Sequence, residues 1–277
     1  MALALGALIG ARSWKFGASL AHPPRGALRP APPIEGLLAV EFKDSAGTTL
    51  RGWWVPSKNR AAIILCHGHG GTRDQLSAEL GLLARRGYGA LAYDLPGHGA
   101  SGGDLVSWGD LEQASLTAAI GFVSGQLTVD PERIGALGFS MGGSTVVEVA
   151  AVDPRLRAVA VSGMGTSLAD ELARKTGKWG PLSRIPARAA IQSEGVRVDK
   201  VHPVAVICRI APRPVLIIQG ADDIDAPLDL AQHLFEAACE PKTWWLVPGG
   251  HHGDTARVDL PGYEQRLVAL FDGALLK

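Results

Sequence analysis

The chain has 277 residues, 47% of them hydrophobic, and its 27 basic side chains balance its 27 acidic ones. That length suits one α/β domain with an insertion and supplies enough apolar material for a two-sided core. A formal net charge of zero argues against a nucleic-acid partner, which favours a basic stripe. Cys66, Cys208 and Cys239 are odd in number and far apart, so neither a disulfide framework nor a zinc site is expected.

Residues 1–36 read as a separate N-terminal segment. The apolar run from Met1 to Ile9 is interrupted by Arg12 and Lys15. It has about half of the roughly 20 residues that span a bilayer, and it lacks the basic start and cleavage site of a signal peptide. An amphipathic helix is expected, packed on the domain or making peripheral membrane contact through residues 1–20. The proline-rich stretch Ala21 to Pro33 reads as a linker or wrapping arm. The expected location is cytoplasmic, with any membrane association made through the N-terminus.

From Leu37 the pattern is regular. Leu38 to Phe42 and Thr49 to Val55 read as an antiparallel hairpin, with the turn near Gly47. Ala61 to Cys66 and Tyr88 to Tyr93 are short apolar runs, as expected of strands buried on both faces. Helical stretches run from about Arg73 to Arg86 and from Leu111 to Gly125. Arg133 to Phe139 is a strand, Met141 to Val152 a helix, and Ala158 to Ser162 a strand. The alternation lapses between about Thr166 and Val206, where helical signals are weak. It resumes with strands at Val215 to Gln219 and Lys242 to Val247 and helices at Pro227 to Cys239 and Leu260 to Leu276. Alternating strands and helices imply a mostly parallel sheet with helices on both faces. Residues 165–206 read either as a small lid over the C-terminal strand ends, with Trp179 as a pocket wall, or as a structural excursion.

Gly138-Phe139-Ser140-Met141-Gly142 fits G-x-S-x-G, with an apolar strand before it and a helix after it. A tight strand-to-helix turn projects a nucleophilic hydroxyl above the sheet, and glycines on either side let strand and helix approach. His67-Gly68-His69-Gly70-Gly71 follows the buried strand ending at Cys66. Its position suits an oxyanion hole built from the backbone N–H groups of His69 and Met141. A metal reading of His67 and His69 lacks further ligands nearby. A serine needs a base and an orienting acid, in the chain order Ser, Asp or Glu, His. The acid falls at Asp222 or Asp223 and the base at His251 or His252, each just past a strand end. His98, between two glycines, reads as a residue that holds its loop by hydrogen bonding.

Together these motifs resemble the α/β-hydrolase superfamily, in particular bacterial serine hydrolases similar to the serine-aminopeptidase-like and dienelactone-hydrolase-like groups. The likeness runs from about Leu38 to the C-terminus and rests on the His67–Gly71 loop, Asp94-Leu95-Pro96-Gly97-His98-Gly99-Ala100-Ser101, the elbow, Gly220-Ala221-Asp222-Asp223 with Pro227, and Val247-Pro248-Gly249-Gly250-His251. Pro96 replaces the usual arginine, and Gln219 stands where histidine is common. The resemblance implies an α/β-hydrolase fold over residues 37–277, a small lid at 165–206, and the register Ser140, Asp223, His251. It also implies hydrolysis of a small-molecule ester or related acyl bond through an acyl-enzyme, with no cofactor and no metal. Peptidase or amidase action on a short peptide and acyl transfer are alternatives on the same residues. A non-catalytic binding protein of this fold is the alternative of another class.

Overall fold

All eight expected strands form a single sheet in the computed structural model, which describes residues 2–165 and 167–277. Met1 of the N-terminal segment and Thr166 of the insertion lie outside the described residues. The strands are β1 (Leu38–Lys43), β2 (Thr49–Val55), β3 (Ala62–Cys66), β4 (Gly89–Tyr93), β5 (Ile134–Phe139), β6 (Leu156–Ser162), β7 (Val215–Gly220) and β8 (Lys242–Val247). Their order is β1-β2-β4-β3-β5-β6-β7-β8. The two β2 pairings are antiparallel and the rest parallel, so β2 alone is reversed and the other seven strands end on the same side.

β3 shows why the sheet is layered. Ile64 and Cys66 join one core with Leu91, Tyr93, Leu116 and Val146. Ile63 and Leu65 join the other with Leu80, Leu83, Leu267 and Phe271. Successive side chains alternate faces, so a run apolar at every position is stable only with helices on both sides. Those helices are α1 (Ala2–Ala21), α2 (Ser77–Arg85), α3 (Glu112–Ser124), α4 (Met141–Ala150), α5 (Leu168–Thr176), α6 (Pro181–Ser193), α7 (Pro203–Val206), α8 (Leu228–Ala237), α9 (Thr255–Val258) and α10 (Leu260–Leu275). No helix among the described residues is long and apolar enough to cross a membrane.

Two features, the insertion and the cysteines, depart from the sequence reading. The insertion is largely helical, not irregular. Ser167 caps α5 by accepting from the Asp170 amide, and Pro181 opens α6, where the missing N–H costs nothing. Pro186 inside α6 masked the helical signal. The N-terminal helix α1 reaches Ala21 and packs against α6, where a methyl on Gly17 would lie 2.1 Å from the Ala187 carbonyl oxygen. Finally, Cys208 and Cys239 are disulfide-bonded, against the expectation of no disulfide. The chain runs out through β7 and back through α8, so a sequence separation of 31 becomes a Cα separation of 4.6 Å. Cys66 is the buried free thiol.

Closing a loop of that length stabilises a fold by about 4 kcal/mol in the chain-entropy picture. Cys239→Ser, or reduction of the native chain, is expected to lower the melting temperature by several degrees. An unchanged melting curve under strong reductant would contradict a structural role for the bond.

Candidate active site

β5 ends at Phe139 and α4 begins at Met141, so Ser140 alone makes the turn. Its backbone sits at φ +52°, ψ −121°, in a region that costs a non-glycine residue on the order of 1–3 kcal/mol. The Ser140 amide donates to the Ser162 carbonyl at 2.9 Å, and the Ser140 carbonyl accepts from the Gly143 and Ser144 amides. A methyl on Gly138 would lie 2.4 Å from the Gly142 carbonyl oxygen, and one on Gly142 2.2 Å from that of Cys66. Only glycines allow β3, β5 and α4 to meet this closely.

His252 accompanies the serine, its Nε2 lying 3.2 Å from Ser140 Oγ and its Nδ1 2.8 Å from Asp223 Oδ2. The carboxylate accepts, so Nδ1 carries the proton and Nε2 is free to accept from the serine hydroxyl. Asp223 Oδ1 accepts from the amides of Asp225 (2.9 Å) and Ala226 (2.8 Å). These bonds hold a nearly inaccessible carboxylate with its second oxygen aimed at the imidazole.

The His251 expectation is corrected here. Its ring is exposed, its Nδ1 lies 3.1 Å from the Asp222 carbonyl oxygen, and its amide donates to Asp254 Oδ1. The reason lies in the turn. Gly250 packs backbone against backbone on Gly220, where an added methyl would lie 2.3 Å from the Gly250 carbonyl oxygen, and that carbonyl accepts from the Asp222 amide. With Gly250 docked on the acid loop, the chain turns His252 inward and leaves His251 in solvent. The ring of Phe139 lies 4.7 Å from that of His252 and backs it.

The loop at Gly68 to Gly71 meets the elbow from the other side. The amides of His69 and Met141 have no hydrogen-bond partner among the described residues. Histidine side chains shape this loop. His67 donates from Nδ1 to the Gly68 carbonyl and accepts at Nε2 from the Leu95 amide. His98 donates from Nδ1 to the Pro96 carbonyl and accepts at Nε2 from the Gly70 amide. This is the loop-holding role expected of His98. His69 donates from Nε2 to the Leu20 carbonyl at the end of α1, and its ring stacks on Trp108 at 4.3 Å. The rings of His67 and His69 thus serve different partners. Burial, reinforced by neighbouring His98, pushes His67 down to about 3, and burial takes His69 to about 4.

Sequence reasoning missed several neighbours. Trp108, at φ +63°, donates from its indole to the same Leu20 carbonyl, and no local motif marks it. In α5, Arg174 donates to the carbonyls of Ile224 and Asp225, tying the insertion to the acid loop. Glu171, raised by burial, pairs with Lys175 at 3.3 Å, and the Lys175 charge contributes to lowering His69. Trp179 is half exposed and lines a cavity between α1 and the insertion, among residues that do not include Ser140. A cavity of about 660 Å³ lies against Pro214 and α10, at the opposite strand ends.

The fold and the hydrogen-bonded Ser140–His252–Asp223 chain define an α/β hydrolase. The X-Pro dipeptidyl-peptidase (S15) family matches residues 25–182, and the chain belongs to that family. Membership supports activity of the serine-hydrolase type. An uncharacterised Mycobacterium tuberculosis protein, Rv2307c, is 34% identical over 226 residues, covering 80% of this chain and 74% of its own. YfhR of Escherichia coli K12, also uncharacterised, is 29% identical over 248 residues, covering 86% and 81%. Among solved structures, a Pyrococcus furiosus esterase, Pf2001, superposes with a TM-score of 0.77 at 20% identity, over 92% of this chain and 98% of that one.

A pH test follows from His67. Its folded value of about 3 lies below the ordinary value of 6.5. The unfolded chain therefore binds the extra proton between those values. Stability from neutral His67 is complete above about pH 6.5 and is lost as pH falls toward 3. His67→Gln removes this titration. The stability gap between wild type and variant, read from urea unfolding, is expected to be flat above about pH 6.5. Below that it should shrink by up to about 1.4 kcal/mol per pH unit. A gap that stays constant down to about pH 5 would contradict a neutral, buried His67.

Proposed function

We propose that the protein cleaves an ester or related acyl bond through nucleophilic attack by Ser140. One observation carries the reading: His252 Nε2 lies 3.2 Å from Ser140 Oγ while its other nitrogen is held by Asp223. That distance favours a working nucleophile over a catalytically silent copy of the fold.

In this mechanism Ser140 Oγ attacks the substrate carbonyl carbon as His252 Nε2 takes its proton. The carbonyl oxygen becomes an oxyanion, held by the amides of His69 and Met141 and favoured by the N-terminus of α4. Asp223 stabilises the imidazolium. His252 then gives the proton to the departing alcohol, which leaves an acyl-enzyme on Ser140. Water attacks the acyl carbon, His252 takes one of its protons, and the tetrahedral intermediate collapses. The acid is released and the serine regains its hydrogen.

Among the structural neighbours, Pf2001 is described as an esterase, which is consistent with ester cleavage on this framework. The second reading is dipeptide release from X-Pro peptides, favoured by the family match. It uses the same residues and differs in the leaving group, an amine in place of an alcohol.

A fluorophosphonate probe is expected to label wild type and not Ser140→Ala. His252→Ala should lower kcat on p-nitrophenyl esters by about 10⁴-fold, and His251→Ala by less than about tenfold. Equal losses in both histidine variants, or labelling of Ser140→Ala, would defeat the assignment. A clear preference for X-prolyl p-nitroanilides over the esters would replace the esterase reading by the peptidase one.

A further inference from the structure

Beside the insertion, α1 and α6 carry an apolar surface that no part of the described chain covers. Leu5, Leu8, Phe16, Trp179, Leu182 and Ile185 are each more than a third exposed, with Leu8 at 56% and Ile185 at 65%. The opposite side of α1 is small: Gly10 and Gly17 pack on Pro186 and Ala187 of α6. The pair therefore forms one sheet of helix surface. Ile9, Arg12 and Phe16 of α1 share a cavity of about 340 Å³ with Lys175, Lys178 and Trp179, which joins the two helices' exposed sides into one patch.

The charges on this patch have one sign. Neither α1 nor residues 177–193 contain an aspartate or glutamate, while Arg12, Lys15, Lys178 and Arg184 stand among the apolar side chains. None of these four cations forms a salt bridge among the described residues. A second copy of the chain docked symmetrically here would set cation against cation. A surface of acidic headgroups over acyl chains complements both features: the apolar side chains enter the boundary, and the long cationic stems reach back to the headgroups.

We propose that the outer face of α1 and α6 is a docking surface for a lipid bilayer containing acidic lipids. The surface also connects to the site. The Leu20 carbonyl at the C-terminal end of α1 accepts from His69 and Trp108, so the docked helix ends on the loop that would hold the oxyanion. His22, just beyond, pairs with Glu194 after α6 and fixes the two helix ends together. Docking itself is independent of the proposed hydrolysis. If that reading also holds, acyl substrates dissolved in the membrane are the class delivered to Ser140.

The test is flotation of the full chain with phosphatidylcholine vesicles, with and without phosphatidylglycerol. Binding is expected only with phosphatidylglycerol, falling as salt rises. Arg12→Gln with Lys178→Gln should weaken it about thirtyfold, and Leu8→Glu with Leu182→Glu should abolish it. Ser140→Ala should bind as wild type, which separates this proposal from the hydrolase reading. Melting curves check that each variant folds, Ser140→Ala included, and fluorophosphonate labelling checks in addition that the surface variants keep an intact Ser140 site. A chain that never floats with phosphatidylglycerol vesicles, or folded surface variants at Arg12 and Lys178 or at Leu8 and Leu182 that bind as wild type, would overturn the proposal. So would size-exclusion evidence that the same substitutions dissolve a dimer in a chain that does not bind vesicles.

Discussion

At Ser140 a non-glycine residue is held at positive φ between a strand and a helix, and the surrounding architecture is arranged to keep it there. Backbone contacts too close for any side chain at Gly138 and Gly142 join β3, β5 and α4 at one point. The strain is local, and the restraint is the doubly buried parallel sheet, whose apolar strands leave this turn no room to relax.

The same economy of space sets the partners. Asp223 and His252 come from successive loops that touch through Gly220 and Gly250, so acid and base are positioned by backbone packing before any side-chain bond forms. On the other side, neutral histidines hold the glycine loop. His67 and His98 each donate from one ring nitrogen to a backbone carbonyl and accept at the other from a backbone amide, and charging would remove the acceptor. Through His69, Trp108 and Leu20, the loop is also bonded to the N-terminal helix. The helix α1 is thereby bonded to the same loop whose Gly68 packs against Ser140.

Much of this was legible in the sequence. β3, β4 and β5 are apolar without alternation because both their faces are buried, and that pattern is local. The elbow was legible because glycine at 138 and 142 records a close approach in the residue itself. Asp223 was readable from its register with Gly220 and Pro227. His252 was not. Choosing between adjacent histidines depends on whether Gly250 docks on Gly220, a contact between residues thirty positions apart in sequence. The Cys208–Cys239 bond was hidden for the same reason. The insertion misled because Pro186 and scattered basic residues weaken helical periodicity, while its order comes from packing on α1 and from Arg174 bonding the acid loop. Trp108 carries no local mark, since its conformation and its stacking on His69 exist only in the fold.

The most direct measurement is a crystal structure of the chain after reaction with a fluorophosphonate. Phosphorus is expected on Ser140 Oγ, with the phosphoryl oxygen within about 3 Å of the amide nitrogens of both His69 and Met141 and the His252 ring beside the ester oxygen. An adduct on another residue, or a phosphoryl oxygen turned away from both amides, would contradict the assignment of this turn as the centre of the chemistry.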